Sequence, residues 1–116
     1  MADPRLIRIL RRLWPLHELS VQALEQLTAR LRLLRFEPGK RLRAADQDRT
    51  VLYLLEGEVE NEARGTSMPT LRGAREAPLA PLFDGEGAPD EVVVRSAARV
   101  LRIDRAAFQQ ACAEAG

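Results

Sequence analysis

The sequence predicts a mainly β domain, a small jelly roll of the double-stranded β-helix kind, with two helices ahead of it and one short helix behind. Three observations carry this. Helical periodicity is confined to the first 31 residues and the last dozen. Between them run short β-rich segments punctuated by proline and glycine, the pattern of a small barrel or jelly roll. At 116 residues, 46% of them hydrophobic and 30% charged, the chain fits one globular domain that can build a core without disulfide or metal staples.

Leu6, Ile9, Leu10 and Leu13 recur at helical spacing with Arg5, Arg8, Arg11 and Arg12 on the other side, which predicts a short amphipathic helix ended near Trp14 by Pro15. Barely two turns long, it buries too little apolar surface to bind lipid alone, so its expected place is against its own domain. Ser20 reads as the N-cap of a second helix whose Val21, Leu24, Leu27 and Leu31 line one face. The run from Leu31 to Glu37 then meets the turn pair Pro38-Gly39, followed by Lys40-Arg41-Leu42-Arg43.

A polar loop from Ala44 to Thr50 leads to the apolar run Val51 to Leu55, which stops at Gly57, and Glu58 to Glu62 predict a strand with an acidic face. The stretch from Arg64 to Pro89, with four prolines and four glycines, reads as irregular and as the place for any ligand contact. Strands resume at Glu91 to Val94 and at Arg99 to Ile103, where alternation sets Val100 and either Leu101 or Ile103 on opposite faces. Asp104 reads as the N-cap of a last helix with Phe108 and Cys112 on one side.

Composition excludes more than it assigns. Eighteen basic and 17 acidic residues leave a net charge of +1, no field to draw in nucleic acid or anionic lipid. Lys40 is the only lysine, and the 17 arginines spread along the whole chain rather than forming a patch. A single cysteine, Cys112, forbids an internal disulfide and a zinc cluster; on a helix face without a flanking cation it is expected to be a small buried hydrophobe. A reduced, cytoplasmic setting fits, with no leader and no membrane span expected. Glu56, Glu58, Glu60 and Glu62 alternate on one face but lack the histidine or aspartate cluster of a metal site. His17, the only histidine, sits at a helix boundary with no prepared nucleophile beside it, and no P-loop or dinucleotide fingerprint is present. No catalytic residue, metal ligand or cofactor is expected.

The order of these elements, with Pro38-Gly39, Tyr53-Leu54-Leu55-Glu56-Gly57-Glu58-Val59 and Arg99-Val100-Leu101-Arg102-Ile103-Asp104-Arg105, resembles the cyclic-nucleotide-binding domain family over nearly the whole chain. The resemblance implies a β-roll of about eight strands flanked by helices. One domain over 1–116 is then expected: a helical lead-in at 1–31, the roll at 32–103 and the C-terminal helix at 104–116. In that family a phosphate-binding cassette, Gly-Glu-hydrophobic followed by Pro-Arg-x-Ala, holds the cyclic phosphate on an arginine and the ribose on a glutamate.

Here the cassette has decayed. Glu76 stands for the ribose glutamate, but Arg75 replaces the glycine before it and Ala77-Pro78 follow. The arginine position is Asp90 if Pro89 matches the motif proline, or Ala88 if the register is counted back from Ile103; neither can hold a phosphate. The expected function is a non-catalytic regulatory or protein-interaction module that has lost cyclic AMP and cyclic GMP binding and works through a protein partner or a linked effector domain. The alternative is a sensor for another nucleotide or anion in a remodelled pocket at Arg75, Glu76 and Arg95. DNA binding by this chain alone is not expected, because only eight residues follow Phe108 and no recognition helix fits in them.

Overall fold

The computed structural model describes residues 3–73, 78–84 and 87–115. Two antiparallel sheets face each other. One has three strands in the order β1 (Leu31–Phe36), β7 (Ala98–Asp104) and β3 (Thr50–Glu56); the other has four in the order β2 (Arg41–Arg43), β6 (Glu91–Val94), β4 (Val59–Asn61) and β5 (Thr66–Ser67). Helices α1 (Pro4–Leu10) and α2 (Val21–Thr28) precede the sheets and α3 (Arg105–Ala115) follows them. Where the resemblance implied about eight strands, the described residues hold seven plus an isolated bridge between Leu13 and Leu79.

Local chemistry starts and stops these elements. Ser20 Oγ accepts from the Ala23 amide and Asp104 Oδ2 from the Ala107 amide, the caps that the sequence places ahead of α2 and α3. Asp3 caps α1 in the same way, with Pro4 in the first turn. That helix ends at Leu10, short of the predicted Trp14. Tertiary pairing is the cause: the Trp14 amide donates to the Leu79 carbonyl at 2.8 Å and the Leu79 amide to the Arg12 carbonyl at 2.9 Å, so this backbone is committed elsewhere.

Strand alternation sorts β3 and β7 into two apolar layers. Val51, Tyr53, Leu101 and Ile103 face the helices and pack with Leu10, Leu24, Leu27 and Ala111. Leu52, Leu54, Ala98 and Val100 face the opposite sheet and pack with Leu42, Val59, Val92 and Val94. Each fully buried leucine or valine removes enough apolar surface from water to contribute roughly 2 kcal/mol before chain entropy is set against it. Phe108 and Cys112 of α3 pack on the helix-side layer, as their spacing predicts, but both are only partly buried; that burial raises the Cys112 thiol pKa.

The stretch read as irregular does more than connect. Amides of Leu71, Arg72 and Leu82 donate to the carbonyls of Leu54, Leu55 and Leu52, covering the edge of β3 that β7 leaves open. Leu71, Leu79 and Leu82 are buried, so this segment is part of the core.

The chain crosses from one sheet to the other between β3 and β4, at Gly57. Its φ is +104°, and a Cβ there would lie 2.6 Å from both the Ala97 carbonyl oxygen and the Ala98 Cα. Only glycine fits.

Candidate functional site

The space between the two sheets, where the fold has its lumen, is filled by the aliphatic layer of Leu42, Leu52, Leu54, Val92, Val94 and Val100, with Phe36, Met68 and Phe83 packed around it. Among the described residues no cation is buried there; Asn61 is the one polar residue in the buried class. A phosphate brought into this layer would lose its hydration without gaining a counter-charge.

Concave space opens instead at the end of the four-stranded sheet, as a cavity of about 590 Å³. Its walls come from three places. Asn61, Glu62, Ala63 and Arg64 supply the end of β4 and the turn after it; Ala88, Pro89 and Asp90 lead into Glu91 and Val92 of β6; Arg41 reaches over from β2. Ala88 and Asp90, the two positions at which the cassette arginine is expected, therefore both line the cavity, and neither carries a positive charge.

The outer face of the same sheet explains the acidic alternation. Arg41 donates to Glu62 at 2.6 Å and lies 3.7 Å from Glu91, which is also 3.5 Å from Arg43. Arg95 donates to Glu60 at 2.7 Å and to Glu62 at 3.2 Å. Hydrogen bonding to Glu62 raises the Arg41 pKa, hydrogen bonding to Glu60 raises that of Arg95, and hydrogen bonding from Arg41 lowers that of Glu62. Beneath this lattice Val93 is buried, flanked across the sheet by Arg41 and Glu60.

Of the predicted ligand residues, Arg95 thus lies on the solvent side of β6, engaged by two carboxylates and away from the cavity lining. Arg75 and Glu76 lie outside the described residues. Glu56 faces Arg72 at 3.6 Å and Arg99 at 3.7 Å, and no cluster among the described residues has the makings of a metal site. His17 Nε2 is 3.8 Å from Glu18, in the 3₁₀ turn Leu16–Glu18. Sequence reasoning passed over Asn61. Its signal was present in the alternation Glu58-Val59-Glu60-Asn61-Glu62, which sets Asn61 on the inward face with Val59.

No known protein family's sequence profile matches the chain, and no curated protein matches it. Solved structures do. The regulatory domain of Toxoplasma gondii PKA, crystallised with cAMP, superposes with a TM-score of 0.63 at 18% identity over 96% of this chain and 46% of that one. The sensor domain of the transcriptional regulator DNR from Pseudomonas aeruginosa gives 0.62 at 14% identity over 93% of this chain and 80% of that one. The regulatory subunit of a cAMP-independent protein kinase A from Trypanosoma cruzi, bound to guanosine, gives 0.61 at 17% identity over 96% and 41%. The chain spans less than half the length of the two kinase regulatory chains. The fold is therefore the cyclic-nucleotide-binding-like β-roll with flanking helices.

Proposed function

We propose that this chain is a non-catalytic regulatory or protein-interaction module built on the cyclic-nucleotide-binding fold, 1–116 forming one domain, that has lost cyclic AMP and cyclic GMP binding. One observation carries the reading: Ala88 and Asp90, the two candidate positions for the phosphate-holding arginine, both line the cavity and neither supplies a cation, and Asp90 repels a phosphate. The lumen packing supports it, because the ring of a cyclic phosphate has no polar cradle among Leu52, Leu54, Val92 and Val100.

The module acts through a protein partner or a covalently linked effector domain, without DNA contacts of its own, in the cytoplasm. No described helix is long and apolar enough to cross a membrane. Calorimetry with millimolar cyclic AMP and cyclic GMP is expected to give no saturable heat; a dissociation constant in the low micromolar range would overturn the reading. Extending the panel to cyclic dinucleotides and simple anions tests the sensor alternative. Saturable binding of one of these, abolished by Arg75→Ala, Glu76→Ala or Arg95→Ala, would place the function there instead.

A further inference from the structure

The outermost strand of the three-stranded sheet has one side open among the described residues. β1 pairs with β7 in antiparallel register, and the Asp104 amide, opposite Arg30, donates to the Arg30 carbonyl at 3.0 Å. Bonded pairs alternate along an antiparallel ladder, so Arg32, Leu34 and Phe36 exchange hydrogen bonds with β7, while Leu31, Leu33 and Arg35 turn their N–H and C=O groups outward. No described backbone group pairs with them. β1 is six residues long, against three for β2 and two for β5, the edge strands of the other sheet.

The side chains along this edge are left unsatisfied on both faces. Leu33 stands opposite the fully buried Leu101, on the face that the helices cover elsewhere, yet it is 44% exposed. Beside it opens a cavity of about 500 Å³ lined by Leu33, Leu34, Arg35, Glu56, Ala97 and Arg99. On the other face Arg32 stands directly across from Arg102, and neither has a carboxylate within ion-pair distance among the described residues. Like charges set opposite each other are unfavourable, and an incoming carboxylate relieves them. Arg35 is 3.2 Å from Glu37 and Arg99 is 3.7 Å from Glu56, so those two are already partnered.

An open edge accepts an added strand through main-chain hydrogen bonds, and the side chains beside it then select which sequence adds. Arg32 and Arg35 within one short strand, with Arg102 behind them, oppose a second copy of β1, which would bring further arginines to the same ladder. A strand with carboxylates at the facing positions is attracted instead. We infer that the open edge of β1 is a docking site for an extended, acidic segment of a partner protein, added to the three-stranded sheet as a further strand, with its carboxylates at Arg32 and Arg102 and an apolar residue beside Leu33. The inference rests on the reading of the chain as a protein-interaction module and names the chemistry of the partner.

The full chain is titrated with the end-blocked peptide Thr-Glu-Val-Val-Glu-Thr-Glu, which in antiparallel register sets glutamates against Arg30, Arg32 and Arg35 and a valine against Leu33. A peptide with arginine in place of each glutamate is the comparator. The acidic peptide is expected to shift the NMR signals of β1 saturably and to slow amide exchange at Leu31, Leu33 and Arg35, whose N–H groups gain a partner, but not at Arg32 or Leu34, whose N–H groups already have one. Arg32→Glu, at an exposed position, is expected to weaken the acidic peptide on the order of tenfold and to favour the basic one. Leu33→Pro removes an outward N–H that serves no bond within the domain and is expected to abolish binding while the chain stays folded; should it fail to fold, Arg32→Glu carries the test alone.

No saturable shift, equal binding of the two peptides, unchanged affinity in Arg32→Glu, or shifts confined to residues away from β1 would each overturn the inference. Concentration-dependent protection of the Leu33 amide without peptide would overturn it too, because the edge then pairs with a second copy. Tight cyclic AMP binding instead overturns the functional reading above, whereas a silent peptide with no cyclic AMP binding overturns this inference alone, so the two failures are distinct.

Discussion

The two sheets are built from similar strands but stand in different surroundings. In the three-stranded sheet β3 and β7 are covered on both sides, by helices over Tyr53, Leu101 and Ile103 and by the second sheet over Leu54 and Val100, while the edge strand β1 leaves Leu33 exposed. The four-stranded sheet has one inner face and one solvated face, and the solvated face carries the lattice of Arg41, Arg43 and Arg95 with Glu60, Glu62 and Glu91. Register makes the contrast sharper. In the three-stranded sheet Arg32 stands opposite Arg102 and Arg35 opposite Arg99, with Glu56 on the other side of Arg99, whereas in the four-stranded sheet Arg43 stands opposite Glu91 and no arginine faces another. Stability therefore resides in the layers around the covered sheet, and the solvated sheet is where polar chemistry is available.

The largest break in this arrangement is expected at the junction of the sheets. Gly57→Val forces a branched side chain onto a φ of +104° and into the Ala97–Ala98 backbone. A loss of about 3 kcal/mol or more is expected from strain and overpacking together, read by chemical denaturation. An unchanged midpoint would mean that the crossing is not held as described.

A smaller effect tests the covered sheet alone. Tyr53 is fully buried and its hydroxyl donates to the Trp14 carbonyl at 2.7 Å, joining β3 to the segment after α1. Tyr53→Phe leaves that carbonyl unpaired and is expected to cost about 1–2 kcal/mol. Burial, with Cys112 and Asp84 nearby, raises the phenol pKa well above its ordinary value. Above about pH 10 the unfolded chain gives up this proton while the native state keeps it, so the stabilisation is complete below that pH and is lost as pH climbs toward the native pKa. Denaturation midpoints from pH 8 to 11 should fall in the wild type and fall less in Tyr53→Phe; parallel curves would count against the burial of this hydroxyl.

The smallest effect is expected on the solvated sheet. Arg95→Ala removes two ion pairs at the surface, where water and salt screen them, so its melting temperature should change least of these variants, and any change should vanish in 1 M salt. A loss comparable to that of Gly57→Val would show that the lattice is structural after all.

What the sequence determined by itself was local. Ser20 and Asp104 cap their helices through side chains that reach only three residues along the chain, Gly57 ends the Val51–Leu55 run, and alternation in β7 separates Val100 from Leu101. These interactions are written in neighbouring residues, so spacing reveals them. Even the C-terminal helix face, Phe108 with Cys112, follows from one helical turn. Tertiary structure alone decided the rest, because pairing across strands depends on register between segments tens of residues apart. It placed the buried Leu71, Leu79 and Leu82 in the core from a stretch that reads as loop, and it drew Arg41 and Arg95 out of an even scatter of arginines to face Glu60 and Glu62. It also placed Asn61, unremarkable in a run of glutamates, in the wall of the cavity together with Val92: which groups meet across space depends on strand register, and nothing along the chain specifies it.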